Sequence, residues 1–505
     1  MDVLKMSTVT QYLLAAAVTA CIALFWILRQ RYDYWKKRGI PYVKPVYFIG
    51  NLGFVMRKSV FDFFLEMSKK YPTDCVGMFL GITPTLVVQT PELARKLLVK
   101  DYNNFEDRFL YSGHADPLGS LNLFTVKNPI WATMRQELTP MFTSSRLRKV
   151  TELMNMNAAE LVKRVQRNFI ERKEVVNLKE VFSMYASDTV AFTVFGLRIS
   201  RLSDQDSPLW FITSHMVKWT FWRGLEFSTI FFLPFLANLL RLQFFSGGAT
   251  EYIRKLFWSV VDERNKTGVS SDKDLVNHLL KLKENVKLPA ESGSKLADDL
   301  MLAQAAVFIL GSIETSSTTL SYTLHELAHH PEEQEQLFNE IDTALKEKGK
   351  EILDYDNLLE LKYLSSCISE TMRKNTPVPY LERKCKNRYQ LTDDIVIEEG
   401  TPVFVNVMAL HFNEKYHEEP EKWRPERFTN PSDNDNKNFT FLPFGEGPHF
   451  CIGKRYGLMQ VRAALAQLLH RYRVEPVSSY ELKADPYAVF LAPANGGSVR
   501  FVPRI

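Results

Sequence analysis

The segment Phe444-Gly-Glu-Gly447-Pro-His449-Phe-Cys451-Ile-Gly453 sets one cysteine among glycines and prolines. Cysteine acts as a nucleophile or metal ligand only as the thiolate, and backbone N–H groups aimed at sulfur favour that form. Glycine enters positive φ without steric cost, so Gly447 and Gly453 would permit a tight path around Cys451, stiffened by Pro443 and Pro448. One cysteine cannot complete a structural zinc site, which takes about four ligands. The same residues also fit a core cysteine beside an ordinary turn, since free Cys is among the most buried residue types. What else the chain carries must decide.

Glu370-Thr-Met-Arg373 places an acid and a base three residues apart, on one helix face, as a fork toward a third partner. Arg427, in Pro425-Glu-Arg427-Phe428, could be that partner. Trp131 and Arg135 stand one helical turn apart, and arginine suits a carboxylate bidentately. Gly311-Ser312-Ile313-Glu314-Thr315 lies in a long helical run, Leu296 to His329. Small and hydroxyl residues can open the i→i−4 ladder of a helix there. Taken singly, these groups also read as a surface salt bridge, a packed Trp beside a solvated Arg, and a core Thr beside an exposed Glu. His329-His330 before Pro331 reads as a helix junction, and Met154 and Met156 as packing residues.

The elements that must position these residues are mostly helical between about residues 130 and 380. After the cysteine, Leu458, Val461, Leu465, Leu468 and Leu469 share one helix face. Strand signals are fewer: Thr85 to Gln89, and Asp394 to Val407, where β-branched runs flank a turn and predict a hairpin. Polar stretches at 265–274, 287–295 and 430–438 predict surface connections. Phe221 to Leu240 is unusually apolar and reads either as core or as a patch dipping into a bilayer surface.

Tyr12 to Leu28 carries no charge and, at roughly 17 residues, is near the lower limit for spanning a bilayer. Arg29, Arg31, Lys36, Lys37 and Arg38 follow at once, which by the positive-inside rule places the rest of the chain in the cytosol. A cleaved signal peptide would carry its basic residues ahead of the run. Pro41 and Pro45 hold the next stretch extended, as a hinge. The net charge of +5 is too mild to argue for nucleic acid, and no basic run is interleaved with aromatics. Cys21, Cys75, Cys367, Cys385 and Cys451 are odd in number and contain no C-x-x-C, so neither a disulfide framework nor a zinc ribbon is indicated.

Together, and in the family's order, these motifs resemble the cytochrome P-450 superfamily over essentially the whole chain from the apolar run onward. The hinge, the aromatic-rich middle and the cysteine loop look most like microsomal insect members that oxidise foreign compounds. The resemblance implies a mainly α fold with small β-sheets (α+β), with one catalytic domain behind a transmembrane helix: 1–29 anchor, 30–50 hinge, 51–505 catalytic domain. It implies haem b (iron protoporphyrin IX) with the Cys451 thiolate as axial ligand, and Phe444 in the same loop. Trp131, Arg135, Arg383 and His449 then lie around its propionates. Thr315 hydrogen-bonds dioxygen, Glu314 belongs to the proton route, and Glu370, Arg373 and Arg427 lock the scaffold.

The implied reaction inserts one oxygen atom from O2 into an apolar small molecule, as in xenobiotic detoxification, at the endoplasmic reticulum membrane with a single pass. Electrons come from NADPH through a flavoprotein reductase, because no G-x-G-x-x-G is apparent in this chain. That partner, or cytochrome b5, would dock near Lys454, Arg455 and Arg462. Substrate contacts are expected from Phe105 to Phe124, Val307 and Phe308, Val378 to Leu381, and Phe490 to Ala492. Rival readings are a haem-thiolate isomerase or dehydratase, and a non-catalytic protein that sequesters apolar ligands or haem. Ser312 replaces the family's usual glycine, Gly311 its alanine, and His449 an arginine.

Overall fold

Helix α1, Thr8–Tyr32, extends beyond the uncharged run at its C-terminal end. This computed structural model describes residues 8–197, 200–204, 207, 209–210, 213–214, 218–268, 276–285, 293–429, 438–477 and 479–504. From Thr10 to Ile27 α1 is exposed, apolar on all sides, and long enough to cross a membrane. Leu28 and Tyr32 are buried in the globule. The extended stretch after it does not hang free. Val43 N–H donates to the Gly77 carbonyl (2.9 Å) and Gly77 N–H to that of Pro41 (2.8 Å). Trp35 is buried, and its indole N–H donates to the Met78 carbonyl at 3.0 Å. A Cβ at Gly77 would collide with the Trp35 ring. Residues expected to act as a hinge are thus stitched along a sheet edge.

The helices that position the site are α2 (Ile130–Leu138), α3 (Ser144–Val165), α4 (Leu178–Val194) and α5 (Phe221–Phe232). They are followed by α6 (Gly293–His329), α7 (Lys362–Lys374) and α8 (Lys454–Arg471). The apolar run predicted over Leu296–His329 is α6, which crosses the centre and packs on α4, α7 and α8. It divides the core. Ile309 and Ile313 pack with Phe231 on one side, while Leu320 and Leu324 pack with Leu465 and Leu468 on the other. The face predicted for the helix after the cysteine is therefore the one α8 buries.

Small sheets complete the mainly α architecture. One orders β1 (Cys75–Leu80), β2 (Thr83–Val88), β7 (Pro402–Asn406) and β4 (Tyr380–Lys384), with β2 and β7 parallel. A second orders β3 (Val176–Asn177), β9 (Ser498–Pro503) and β8 (Tyr472–Pro476). β5 (Tyr389–Thr392) pairs with β6 (Ile395–Ile397). The hairpin expected across Gly400 is absent, because β6 and β7 belong to different sheets. Every residue of β7 is buried, so it takes a central place with partners on both sides. Gly400, at φ 78°, turns the chain from one sheet into the other. The polar stretches expected at 265–274, 287–295 and 430–438 fall largely outside the described residues.

Candidate active site

Cys451 sits at the end of a loop wound by its own backbone. Its N–H donates to the Phe444 carbonyl (2.9 Å), Phe450 N–H to that of Gly447 (3.0 Å), and Gly445 N–H to that of Leu442 (3.1 Å). Gly447 has φ 74°, and a Cβ there would strike the Leu98 carbonyl. The role expected of Gly453 differs, because its φ is −85°. It supplies an N–H to the sulfur instead. Desolvation pushes the Cys451 thiol up, and the Gly453 N–H, Arg135, Arg108 and Lys454 pull it back toward ionisation. The positive φ credited to Gly453 belongs to Gly445, at 66°.

The loop is held from behind. Arg373 donates to Glu370 through Nε (2.7 Å) and Nη2 (2.9 Å), and Arg427 Nε donates to the same carboxylate at 3.2 Å. Both side chains of the Glu370–Arg373 pair are fully buried. Arg373 Nη1 also donates to the His411 carbonyl (2.7 Å). His411 lay outside the sequence reading, yet it joins this cluster to the loop: its Nε2 accepts from Leu442 N–H (2.9 Å), while Nδ1 donates to the Arg373 carbonyl (2.9 Å). Burial holds this imidazole neutral, far below its ordinary range.

On the other side of Cys451 lies a second group of charges. Trp131 and Arg135 are presented by α2, and Arg135 lies over the Phe450 ring at 4.4 Å. His449 stacks on Trp131, with centroids 3.8 Å apart, and its Nε2 donates to the Glu106 carbonyl at 2.7 Å. Its Nδ1 is buried without a partner. Burial and the neighbouring Arg108 and Arg383 keep this ring neutral. Arg383 donates from Nη1 to the Glu382 carbonyl (2.7 Å), while its buried Nε has no partner. Burial and Arg108 pull Arg383 down to about 10.

Arg108 lay within a range expected to touch substrate. It lines the same cavity as Cys451, and its Nη2 also reaches the His449 carbonyl at 3.5 Å. Lys127, from the same region, is pulled down to about 8 by desolvation, against the attraction of Glu382 and Asp107. Glu382 is the buried carboxylate among these cations. This part of the site carries surplus positive charge and open donor positions.

Above the cysteine, α6 is continuous through 311–315. Thr315 Oγ1 donates to the Gly311 carbonyl (2.6 Å), so its hydroxyl closes a helical turn. Ser312, where the family has glycine, donates from Oγ to Gln460 Oε1 on α8 at 3.0 Å. A Cβ at Gly311 would meet nothing within 4 Å. Glu314 and Thr315, grouped as an acid–alcohol pair, form no hydrogen bond with each other among the described residues. Adjacent helix positions face apart, and Glu314 Oε1 pairs with Lys179 of α4 at 2.9 Å.

Between these elements lies a cavity of about 330 Å³, lined among others by Cys451, Phe444, Trp131, Arg135, Arg383, His449, Glu314 and Thr315. All eight residues picked from the sequence therefore meet in one place. Of the expected substrate contacts, Leu123, Phe124, Val307, Phe308, Val378, Leu381 and Phe490 line it, whereas Phe105 and Leu110 belong to the core. Phe142, Phe231 and Phe244 also line it and were not foreseen as contacts. The docking patch is narrower than expected. Lys454 and Arg455 are exposed, but Arg462 donates to Ser365 Oγ (3.0 Å), and burial pulls it down to about 10.

The donor set has a definite chemistry. No cluster of three His, Cys, Asp or Glu groups able to hold a metal occurs among the described residues. A metal here would bring its own equatorial ligands, take one thiolate from Cys451, and offer carboxylates to the surplus cations. An iron porphyrin with propionates meets those conditions.

Comparison with known proteins agrees. The sequence profile of the family Cytochrome P450 matches residues 40–501. Cytochrome P450 6k1 of Blattella germanica is 32% identical over 97% of this chain and 96% of its own length. Cytochrome P450 6a2 of Drosophila melanogaster is 32% identical over 97% of this chain and 99% of its own. Cytochrome P450 9e2 of Blattella germanica is 32% identical over 94% of each.

Proposed function

The chain belongs to the cytochrome P450 family and is a monooxygenase of that kind, and from its site we propose which residues serve that chemistry and on what substrate class. It inserts one oxygen atom from O2 into an apolar small molecule, with electrons from NADPH through a separate flavoprotein reductase, in the metabolism of foreign compounds. The observation that carries this reading is Cys451 lining a cavity walled largely by apolar side chains, several of them phenylalanines.

Cys451 would hold the haem iron through its thiolate, with Phe444 in the same loop, and Arg108, Arg135, Arg383, Trp131 and His449 would hold the carboxylates of the haem. When bound, the haem supplies the oxidising chemistry, and a thiolate ligand favours O–O cleavage. The chain does the rest. Phe124, Phe231, Phe308 and Phe490 hold an apolar substrate and exclude water. Thr315 offers a hydroxyl above the cysteine, released from the Gly311 carbonyl when a better acceptor is present. Glu314 provides the acid for proton delivery, a general acid worth about 10²–10⁴-fold. Lys454 and Arg455 give an acidic reductase its docking charge on the cysteine side.

The membrane supports apolar access. α1 spans the endoplasmic reticulum bilayer once, with the catalytic part in the cytosol. Phe221, Trp222, Phe235, Leu239 and Leu240 are exposed on and after α5, as are Val46, Tyr47, Phe48 and Ile49. Phe25 of α1 lies 4.8 Å from Tyr47. That apolar surface suits the headgroup–acyl boundary. Other residues of the 221–240 stretch, including Phe227, Ile230 and Phe232, are core. The buried residues fit the core reading of the stretch, and the exposed ones support the proposed contact with a bilayer surface.

The test is turnover of a mixed apolar library with reductase and NADPH. Oxygenated product matched to NADPH consumed is the expected result. Rearranged or dehydrated product formed without NADPH would replace the proposal with an isomerase, and tight binding without any product would replace it with a sequestering protein.

A further inference from the structure

The segment 242–246 carries Phe244 to the cavity wall and leads into the helix Gly247–Thr267. Connecting segments of this kind are ordinarily mobile. Here charged side chains from two other elements grip its backbone. Asp116 takes the Phe245 N–H on Oδ2 at 2.6 Å and the Gly119 N–H on Oδ1 at 2.9 Å, the second bond capping the short helix Pro117–Leu121. Arg223 of α5 donates from Nη1 to the Gln243 carbonyl (2.8 Å) and from Nη2 to the Phe244 carbonyl. Glu226, one turn on, accepts the Gln243 N–H at 2.8 Å and pairs with Arg223 Nη1 at 2.6 Å. Four backbone groups of three residues are thus held by charge-assisted bonds, which are shorter and stronger than neutral ones.

The segment is also packed without slack. A Cβ at Gly119 would overlap both Asp116 and Phe244, so the segment lies directly on the capped helix. Phe244 is buried, its ring centroid 5.0 Å from that of Phe227, 6.4 Å from Phe124 and 6.5 Å from Phe231. Arg223 in turn lies over the Phe227 ring at 4.2 Å. Burial pushes the Asp116 carboxyl up, and the N–H groups of Phe245, Gly119 and Phe244, with Arg223, draw it back. None of Asp116, Arg223 and Glu226 is among the residues lining the cavity. Their charges serve the segment that carries Phe244.

We propose that Asp116, Arg223 and Glu226 form a clasp that makes Phe244 an unyielding wall of the cavity, so that apolar substrates are chosen by shape and bulky, branched ones are turned away. A side chain on a free segment can swing aside for a large ligand at little cost. One whose backbone is held from both sides cannot. Rejection built as a clash is a specificity device in its own right, and one methylene in an apolar pocket already shifts preference about 10–200-fold. The three charged groups are positioning residues, acting on a substrate only through Phe244.

This inference rests on the haem reading of the cavity, and its test needs no turnover. Imidazole and 1-(triphenylmethyl)imidazole both ligate haem iron through nitrogen, and the Soret shift of the haem-loaded protein reads the affinity of each. Imidazole is small, whereas the triphenylmethyl group must displace a wall. In Asp116→Asn the helix cap can survive, since Asn caps as well as Asp, but only one of its two terminal atoms accepts, so one N–H is released. Its affinity for the bulky azole relative to imidazole should rise about tenfold or more, as it should in Arg223→Met and in Phe244→Ala. Arg223→Lys, which keeps the charge beside Glu226, should stay near the wild type. Asp116→Asn/Phe244→Ala should match Phe244→Ala alone, because a clasp acting through Phe244 then has nothing to hold. Should Asp116→Asn take up no haem, Arg223→Met with and without Phe244→Ala decides in its place. A ratio unchanged or lowered in either clasp variant overturns the proposal, as does a full second increment in the double variant. A wild type in which neither azole moves the Soret band defeats the haem reading, and the clasp's use with it.

Discussion

Two buried charge clusters flank Cys451, and they differ in closure. Around Glu370 both carboxylate oxygens and the Arg373 donors are matched, with carbonyls of His411 and Pro420 taking what remains. Around His449 the balance is open, with Arg383 Nε and His449 Nδ1 buried and unpartnered and Arg108, Arg135, Arg383 and Lys127 outnumbering Glu382 and Asp107. A closed cluster has nothing left to bind and serves as scaffold. An open one of surplus cations is unfavourable until an anion fills it. The difference marks the first cluster as framework and the second as the place suited to an anionic group.

The largest expected effect breaks the closed cluster. Glu370→Ala leaves Arg373 and Arg427 without their shared carboxylate, at a cost of about 3–5 kcal/mol. Thermal unfolding should show it, with little folded protein recovered whether or not haem is supplied. The open cluster should respond in the opposite sense. Arg383→Met removes an uncompensated charge, so apoprotein stability should hold or rise. Haem should leave about tenfold faster or more, in line with the 1.5–3 kcal/mol of a charged hydrogen bond, as read by transfer to a haem acceptor.

A third effect concerns pH. Lys127 binds its proton less readily in the fold, near 8, than in the unfolded chain, near 10.5. The unfolded state therefore holds more protons between those values, and apoprotein stability should rise as pH climbs from about 8 toward 10.5. Haem carboxylates should flatten that rise, which denaturant titrations at several pH values would reveal. The smallest effect is at His449. His449→Arg adds a charge-bearing fork where a neutral ring now stacks on Trp131, so haem should be held at least as firmly. A clear loss of holoprotein in this variant would refute the account of that position.

What could be read in the chain divides by distance along it. The cysteine loop, the Glu370–Arg373 pair and the Trp131–Arg135 pair are local spacings, and helix or turn geometry brings each together unaided. Lys179 meets Glu314 across α4 and α6, and His411 meets both Arg373 and Leu442 across three segments. Such partners carry no local pattern, since a lysine opening a helix resembles any solvated charge. The hairpin that did not form is a related failure: β6 and β7 are adjacent in sequence and rich in β-branched residues, but β7 is buried throughout and pairs with β2 and β4 instead. Gly453 shows the limit of composition, because a glycine near sulfur suggested backbone strain where the need was an N–H beside the thiolate.

Everything proposed for the cavity depends on Cys451 binding haem iron as a thiolate. The direct measurement is the carbon-monoxide difference spectrum of the dithionite-reduced, haem-loaded protein, with Cys451→Ala alongside. The wild type should show the long-wavelength Soret band of thiolate ligation, and the variant should lack it. A well-folded wild type showing only the short-wavelength band of a neutral ligand, or the same spectrum in both proteins, would contradict it.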